Sequence, residues 1–179
     1  MSVVILDQGS VHYEVLGRGR PVIFLHGWVG SWRYWLPAMQ TASASYRCYG
    51  LDLWGFGDTP HDPPLYPQRQ QFALLDDFLL RLGLIQQDPQ TSERSGRIAV
   101  IGHGLGALVA ALYATRHPAL VDRLMAVALP LELRSIHARL RTPASSADLA
   151  DWLLGHDPLR AAVHGEAVKA DTDAVAASM

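Results

Sequence analysis

Short apolar runs alternate with segments of helical periodicity along most of the chain. The apolar runs predict strands at Val3 to Leu6, Val11 to Leu16, Val22 to Leu25, Arg47 to Leu53, Ile98 to Ile101 and Leu124 to Leu129. Between them, apolar residues at helical spacing predict helices from Ser31 to Thr41, Phe72 to Leu82 and Leu105 to Arg116. Because the two kinds of element alternate, the pattern indicates an α/β fold: a mostly parallel, doubly wound sheet of about six strands.

The strand pattern stops after Pro130. Segments from Leu131 to Leu140 and from Ser146 to Leu154 have helical spacing. From His164 to Met179 the chain is rich in alanine and has no regular apolar stripe, so we expect this tail to fray. The sequence therefore predicts a core over 1–130, a helical segment over 131–163 and a frayed tail over 164–179.

Composition narrows the classes of function. The chain has 179 residues, and its 49% hydrophobic content is enough for a buried core. Fifteen Lys and Arg residues against 17 Asp and Glu residues leave a net charge of −2, without the basic stripe that nucleic acids or anionic membranes require. The single cysteine, Cys48, is expected to be a buried, inert thiol. We expect no nucleic-acid or membrane partner, and a cytoplasmic location because no basic secretory region accompanies Asp7.

The strongest chemical motif lies where a buried strand meets a helix. Gly102-His103-Gly104-Leu105-Gly106 joins the strand that begins at Ile98 to the helix that begins at Leu105. A Gly-x-X-x-Gly turn in this context is typical of a nucleophile elbow, which lifts its central side chain above the sheet. The central residue here is Gly104, which has no side chain to present.

Two other strand ends carry related motifs: Phe24-Leu25-His26-Gly27-Trp28 and Asp52-Leu53-Trp54-Gly55-Phe56-Gly57-Asp58-Thr59. Together with the elbow, they resemble the α/β-hydrolase superfamily, and more narrowly its esterase, epoxide-hydrolase and haloalkane-dehalogenase-like branch. The resemblance covers Val3 to about Pro130. Leu105-Gly106 after the elbow tip is more similar to the serine-type esterase pattern, which implies ester or related acyl chemistry.

The resemblance implies roles for individual residues. The backbone N–H groups of Trp28 and Leu105 would form an oxyanion hole, where each donor is worth ~3–4 kcal/mol in a working enzyme. The Asp52 turn would be scaffold. The candidates for contact with an ester-like substrate or apolar ligand are His26, Gly27, Trp32 and His103. A purely structural role is an open alternative for both histidines, and packing of helix against sheet is one for the tryptophan.

The catalytic positions depart from the family pattern. Gly104 stands where the family has serine, aspartate or cysteine, and the segments that would bring the acid and the catalytic histidine are not in this sequence. No metal-ligand spacing or cofactor motif is present, so no metal or cofactor is predicted. We expect an ester or acyl hydrolase type of protein that is inactive by itself. The alternatives are a non-catalytic half-hydrolase that binds an apolar ligand, and a protein whose site is completed by a partner chain.

The last predicted strand also bears on assembly. Residues Leu124 to Leu129 are apolar on both faces and would lie at the edge of the sheet. An exposed apolar edge is a template for pairing with another chain. The sequence therefore predicts a homo-oligomer joined through 124–129, unless the residues after Pro130 cover this edge.

Overall fold

The computed structural model describes residues 2–155 and 161–179. The strands are β1 (Ser2–Leu6), β2 (Gly9–Leu16), β3 (Arg20–Leu25), β4 (Tyr46–Leu51), β5 (Gln86–Gln87), β6 (Arg94–Ser95), β7 (Ile98–His103) and β8 (Val121–Val127). Six of them form one sheet in the order β1-β2-β4-β3-β7-β8, while β5 and β6 form a separate hairpin. Within the sheet, β4, β3, β7 and β8 pair parallel with one another in that order, whereas β2 pairs antiparallel with both β1 and β4. The predicted fold class is confirmed.

Helices cover the sheet on both sides. They are α1 (Leu36–Ala42), α2 (Gln68–Arg81), α3 (Leu105–Arg116), α4 (Ala138–Arg141), α5 (Ser146–Leu154), α6 (Ala161–Ala167) and α7 (Thr172–Ala177). The predicted helix from Ser31 instead begins as a 3-10 turn, Trp32–Trp35, before α1. Pro37 explains the change, because it lacks the N–H that a continuous α-helix would use at this position. Among helices in the described residues, none has the length and apolarity needed to cross a membrane.

Two apolar clusters hold the sheet between its helices. The larger one joins the sheet to α2 and α3 through fully buried side chains such as Phe78, Val109 and Tyr113. The smaller one lies under α1 and consists of Val22, Phe24, Trp32, Met39 and Cys48. Cys48 is buried, as predicted. These clusters fix the positions of the strand ends, where the turns of the site begin.

Strand β8 lies at the edge of the sheet, but it begins three residues earlier than predicted and ends at Val127. The charged pair Asp122-Arg123 obscures its start in the sequence. Charged side chains are tolerated there because the strand is half open to solvent. Leu124 and Met125 remain 42% and 57% exposed, so an apolar edge is present.

The helices after β8 are shorter and more often interrupted than the residue pattern predicts. A single helix from Leu131 to Leu140 is replaced by a 3-10 turn, Leu133–Ser135, and the short α4. Helix α5 agrees with prediction: Ser145 Oγ accepts the N–H of Asp148 at 3.1 Å, and Gly155 ends the helix at φ 63°. The predicted helical segment 131–163 includes residues 156–160, which lie outside the described residues.

The tail over 164–179 differs from its prediction. Instead of fraying, it contains the end of α6 and all of α7, and Ala174, Val175 and Ser178 are fully buried. Small side chains explain why the residue pattern did not predict these helices. An alanine-rich helix has a weak apolar stripe, yet it can approach a neighbouring backbone closely.

Candidate active site at the elbow

The Gly-x-X-x-Gly turn has the strained backbone of an elbow. Gly104 stands between β7 and α3 at φ 52° and ψ −113°, a conformation that glycine adopts at low cost. Its N–H donates to the carbonyl oxygen of Val127 at 3.0 Å, which ties the tip to β8. The tip therefore projects at the carboxyl end of the parallel strands.

The outer glycines of the motif allow close backbone packing. A Cβ on Gly102 would lie 2.3 Å from the carbonyl oxygen of Gly106, and one on Gly106 would lie 2.4 Å from that of Leu25. The N–H of Gly106 instead donates to the carbonyl oxygen of His26 at 3.0 Å. Only glycine fits at these two positions, because any Cβ would meet backbone atoms, which cannot move aside as a flexible side chain could.

The turn after β3 faces the elbow tip. A Cβ on Gly104 would lie 3.3 Å from Cε3 of the Trp28 ring, so this indole lies directly against the tip. Within the described residues, no acceptor is bonded to the backbone N–H of Trp28 or of Leu105. The next residue, Val29, is fully buried at φ 60°, an uncommon conformation for a β-branched residue. Strain of this kind clusters at functional turns.

His26 is a structural residue of this turn. Its Nε2 accepts the N–H of Leu53 at 3.0 Å, so Nδ1 carries the proton and donates to the carbonyl oxygen of Gly27 at 2.8 Å. Burial lowers the pKa of His26 below its ordinary value. A buried neutral ring with both nitrogens bonded to backbone cannot contact a ligand as the sequence suggested, and the structural alternative is favoured.

His103 and Gly27 are neighbours beside the tip. A Cβ on Gly27 would lie 2.4 Å from Nδ1 of His103, so glycine at 27 makes room for the imidazole. His103 keeps one side open to solvent, and the partial desolvation of its ring lowers its pKa. Of the predicted ligand contacts, these two residues lie next to the elbow.

Trp32 lies elsewhere. Its side chain belongs to the small cluster under α1, and its backbone N–H donates to Oδ1 of Asp52 at 2.8 Å. The other carboxylate oxygen of Asp52 accepts the N–H of Asp58 at 3.0 Å. Asp52 thus fixes its turn to the neighbouring segment, in agreement with the scaffold role expected for it, and Trp32 is part of that scaffold.

One group of side chains has the composition of a metal site. Ligand atoms of His12, Asp52 and Asp58 lie within 4.8 Å of one another. The Asp52 oxygens already accept backbone N–H groups, and the carboxylate of Asp58 is paired with Arg33 and Lys169. Since two cations already neutralise this carboxylate, the group is better described as a hydrogen-bonded turn than as a metal centre.

The tail reaches the site, which the sequence pattern did not indicate. Nε1 of Trp28 donates to Oγ of Ser178 at 3.1 Å, and the N–H of Asp171 donates to the carbonyl oxygen of Gly55 at 2.9 Å. The Tyr66 hydroxyl donates to Asp171 at 2.6 Å. No local signal could have revealed these contacts, since each joins single residues far apart in the chain.

Comparison with known proteins identifies the fold. Residues 20–155 match the family model of the alpha/beta hydrolase fold, which is most of the chain. The chain belongs to the α/β-hydrolase family. The match runs past Pro130 to the end of α5, farther than the motifs alone indicated.

Several hydrolases are similar in sequence. Human epoxide hydrolase 4 is 31% identical over 72% of this chain and 34% of its own length. The probable lysophospholipase BODYGUARD 4 of Arabidopsis thaliana is 28% identical over 73% of this chain and 30% of its own. The pimeloyl-[acyl-carrier protein] methyl ester esterase of Shewanella woodyi is 33% identical over 66% and 40%. The chain thus spans 30–40% of the length of these relatives.

Solved structures agree on the fold. A hydrolase from Pseudomonas aeruginosa superposes with a TM-score of 0.78 at 15% identity, covering 98% of this chain and 69% of that protein. An esterase from Exiguobacterium antarcticum gives a TM-score of 0.78 at 17% identity, covering 99% and 71%. At this identity the similarity concerns architecture, and it extends through α6 and α7.

Proposed function

We propose that this chain is a hydrolase-fold protein of the ester or acyl type that binds a small carbonyl ligand at its elbow and does not hydrolyse it by itself. The observation that carries the proposal is Gly104 at the elbow tip. Acyl transfer on this fold begins with attack by the side chain at that position. Glycine has no side chain that could make this attack.

The backbone around the tip supports ligand binding without covalent chemistry. The N–H groups of Trp28 and Leu105 flank the tip and are free of acceptors within the described residues. A carbonyl oxygen could accept from both, as in an oxyanion hole. The Trp28 ring would supply an apolar wall beside it. Relatives named as an esterase and a lysophospholipase also favour a ligand with an ester group.

A matched pair of ligands tests this proposal. Ligand-observed NMR would compare methyl hexanoate with methyl hexyl ether, which has a similar chain and no carbonyl group. We expect the ester to bind about 30-fold more tightly, because two hydrogen bonds of about 1 kcal/mol each distinguish it from the ether. The ester should remain intact on long incubation. Equal affinities, or no binding of either, would contradict a carbonyl site.

The glycine is tested by Gly104→Ser with Gly104→Ala as its control, because both add the same Cβ and only serine adds a hydroxyl. Each should lower the free energy of unfolding by about 1–3 kcal/mol, since the backbone is strained for a side chain. Neither should hydrolyse para-nitrophenyl butyrate, because the His26 ring, with both nitrogens bonded to backbone groups, cannot accept the hydroxyl proton. Turnover by the serine variant alone would contradict the non-catalytic part of the proposal.

A second proposal concerns assembly. We propose that the chain pairs with a second copy of itself through β8. The exposed Leu124 and Met125 support this, together with the outer side of the strand, which pairs with no other strand among the described residues. A groove of about 260 Å³ beside the strand is lined mainly by apolar side chains, among them Phe24 and Ile101. Such a surface is costly to leave in water.

A further inference from the structure

Four charged side chains form a closed ring between the tail and the site scaffold. Nη1 of Arg33 lies 3.0 Å from Asp58 and 3.0 Å from Glu166. Nζ of Lys169 lies 2.6 Å from Asp58 and 3.0 Å from Glu166. Each cation therefore contacts both carboxylates. The Glu166 side chain is only 10% exposed, so water screens this ring less than it screens an isolated surface pair.

The titration of the ring agrees with its geometry. Burial by itself raises the pKa of Asp58, but hydrogen bonds from Lys169 and Arg33 outweigh it and hold this pKa below its ordinary value. The hydrogen bond to Asp58 raises the pKa of Lys169. The Asp58 carboxylate and the Lys169 ammonium are therefore charged near neutral pH, and their attraction is available to hold the tail.

Beyond the ring, the tail packs against the D-x-x-G-x-G-x-T turn. Ala174 is fully buried there, and its Cβ would lie 2.3 Å from a Cβ placed on Gly55. The N–H of Asp171 donates to the carbonyl oxygen of the same glycine. At the far end, Ser178 accepts the Trp28 indole N–H, and the Trp28 ring itself lies against the elbow tip.

We infer that residues 166–178 form a strap that closes the ligand site at the elbow, and that Arg33, Asp58, Glu166 and Lys169 are its latch. The inference rests on the proposed ligand site. Trp28 is bound by the strap at its indole N–H and borders the tip with its ring. Releasing the latch frees this indole and opens the space above Gly104. Ligand affinity then depends on the fraction of molecules whose strap is open.

The chain offers a specific probe, because Lys169 is its only lysine. A lysine-specific protease can cut only after this residue, and the following Ala170 is buried. Cleavage therefore requires the strap to open, and its rate follows the open population when reclosing is fast. We expect Glu166→Gln to raise this rate about tenfold or more, because the variant lacks the carboxylate that contacts both Arg33 and Lys169. About 1 M NaCl should also raise the cleavage rate, because salt screens the ion pairs of the latch.

Two controls separate the latch from other causes. Glu132→Gln removes the carboxylate of an exposed ion pair with Arg134 and should leave the rate unchanged. Tryptic cleavage after Arg116, at the end of α3, should also be unchanged by Glu166→Gln. If neither salt nor Glu166→Gln changes the rate of cleavage after Lys169, the four charged residues do not act as a latch. Faster cleavage at Arg116 as well overturns the latch too, because the substitution would then have unfolded the core.

Ligand binding completes the test. Glu166→Gln should bind methyl hexanoate more tightly than the parent, by up to about tenfold, because less of it is closed. If Glu166→Gln is cleaved faster after Lys169 but binds methyl hexanoate with the same measurable affinity as the parent, the strap does not close the ligand site. If neither protein binds the ester, the proposed function fails, while the protease rates still decide whether the latch exists.

Discussion

At the scale of single residues, the elbow depends on backbone groups that side chains hold in place. His26 bonds Leu53 with one nitrogen and Gly27 with the other, so one imidazole joins two strand-end turns. Asp52 also joins two segments, because one of its carboxylate oxygens accepts the N–H of Trp32 and the other accepts the N–H of Asp58. Both side chains bond to main-chain groups, and Oδ2 of Asp52 also lies 2.9 Å from Nδ1 of His12, so they are effective at fixing the positions of the turns.

His26 should make stability depend on pH. Burial lowers its pKa in the folded protein, whereas in the unfolded chain it has the ordinary value of about 6.5. The folded state thus binds fewer protons. The stabilisation is complete above about pH 6.5 and declines as pH falls below it. Urea unfolding between about pH 8 and pH 5.5 should show this decline, and in NMR spectra of the folded protein the His26 ring should titrate at a lower pH than a free imidazole.

Desolvation also lowers the pKa of His103 and of His117, so these rings act in the same direction. A His103→Gln, His117→Gln double variant removes their contributions and leaves that of His26. We expect the decline to persist in this variant. Stability that is flat over the same range would show that His26 is not the buried neutral group described here.

The sequence predicted the residues whose partners are close in the chain. The elbow glycines and the Asp52 turn are motifs of a few residues, so their pattern is visible directly. Trp28 and Ser178 are 150 positions apart, and Lys169 and Asp58 are 111 apart. Only the folded chain brings such residues together. For the same reason the sequence left the role of His26 open, since its Leu53 partner lies on another strand end.

At the scale of elements, regular periodicity was a reliable guide and irregular backbone was not. Helix α3 spans the predicted range, because both a glycine turn and a run of small apolar residues mark its start. The tail was predicted to fray because α6 and α7 lack a broad apolar stripe. They are held instead by ion pairs and by close packing of alanine, and neither leaves a periodic signal.

Two glycine-to-alanine changes should have opposite effects on the elements that contain them. Gly106→Ala places a Cβ against backbone oxygens of β3 and should cost about 3 kcal/mol or more. Gly165→Ala lies within α6 with nothing within 4 Å of its new Cβ, and should stabilise by about 0.5–1 kcal/mol. Chemical denaturation measures both.

Gly165→Ala also serves as the matched control, because it makes the same chemical change in a helix without the close contact. A similar small effect of both substitutions would mean that α3 can move away from β3. That outcome would remove the argument that the elbow requires glycine at 106.

At the scale of the whole molecule, the sheet is protected unevenly. Strand β7 is flanked on both sides, by β3 and β8, whereas β8 has no neighbour on its outer side among the described residues. Parallel strands are usually buried on both faces. Here Ala99 and Ile101 of β7 are only partly covered, and the groove beside them continues to Met125 at the edge. The proposed self-association would cover this part of the sheet.

Substituting Met125 by glutamate should weaken that association. Two copies of β8 related by a two-fold axis pair antiparallel, so each added carboxylate lies within the interface and near apolar side chains. We expect the parent's average mass in sedimentation velocity to rise with concentration toward that of a dimer, and Met125→Glu to stay at monomer mass. Leu131→Glu is the control, because it adds the same charge to a residue that is 84% exposed but lies beyond the strand. It should associate like the parent. A parent that remains monomeric at every concentration would rule out pairing through β8, and equal loss in both variants would assign the effect to net charge instead of to the edge.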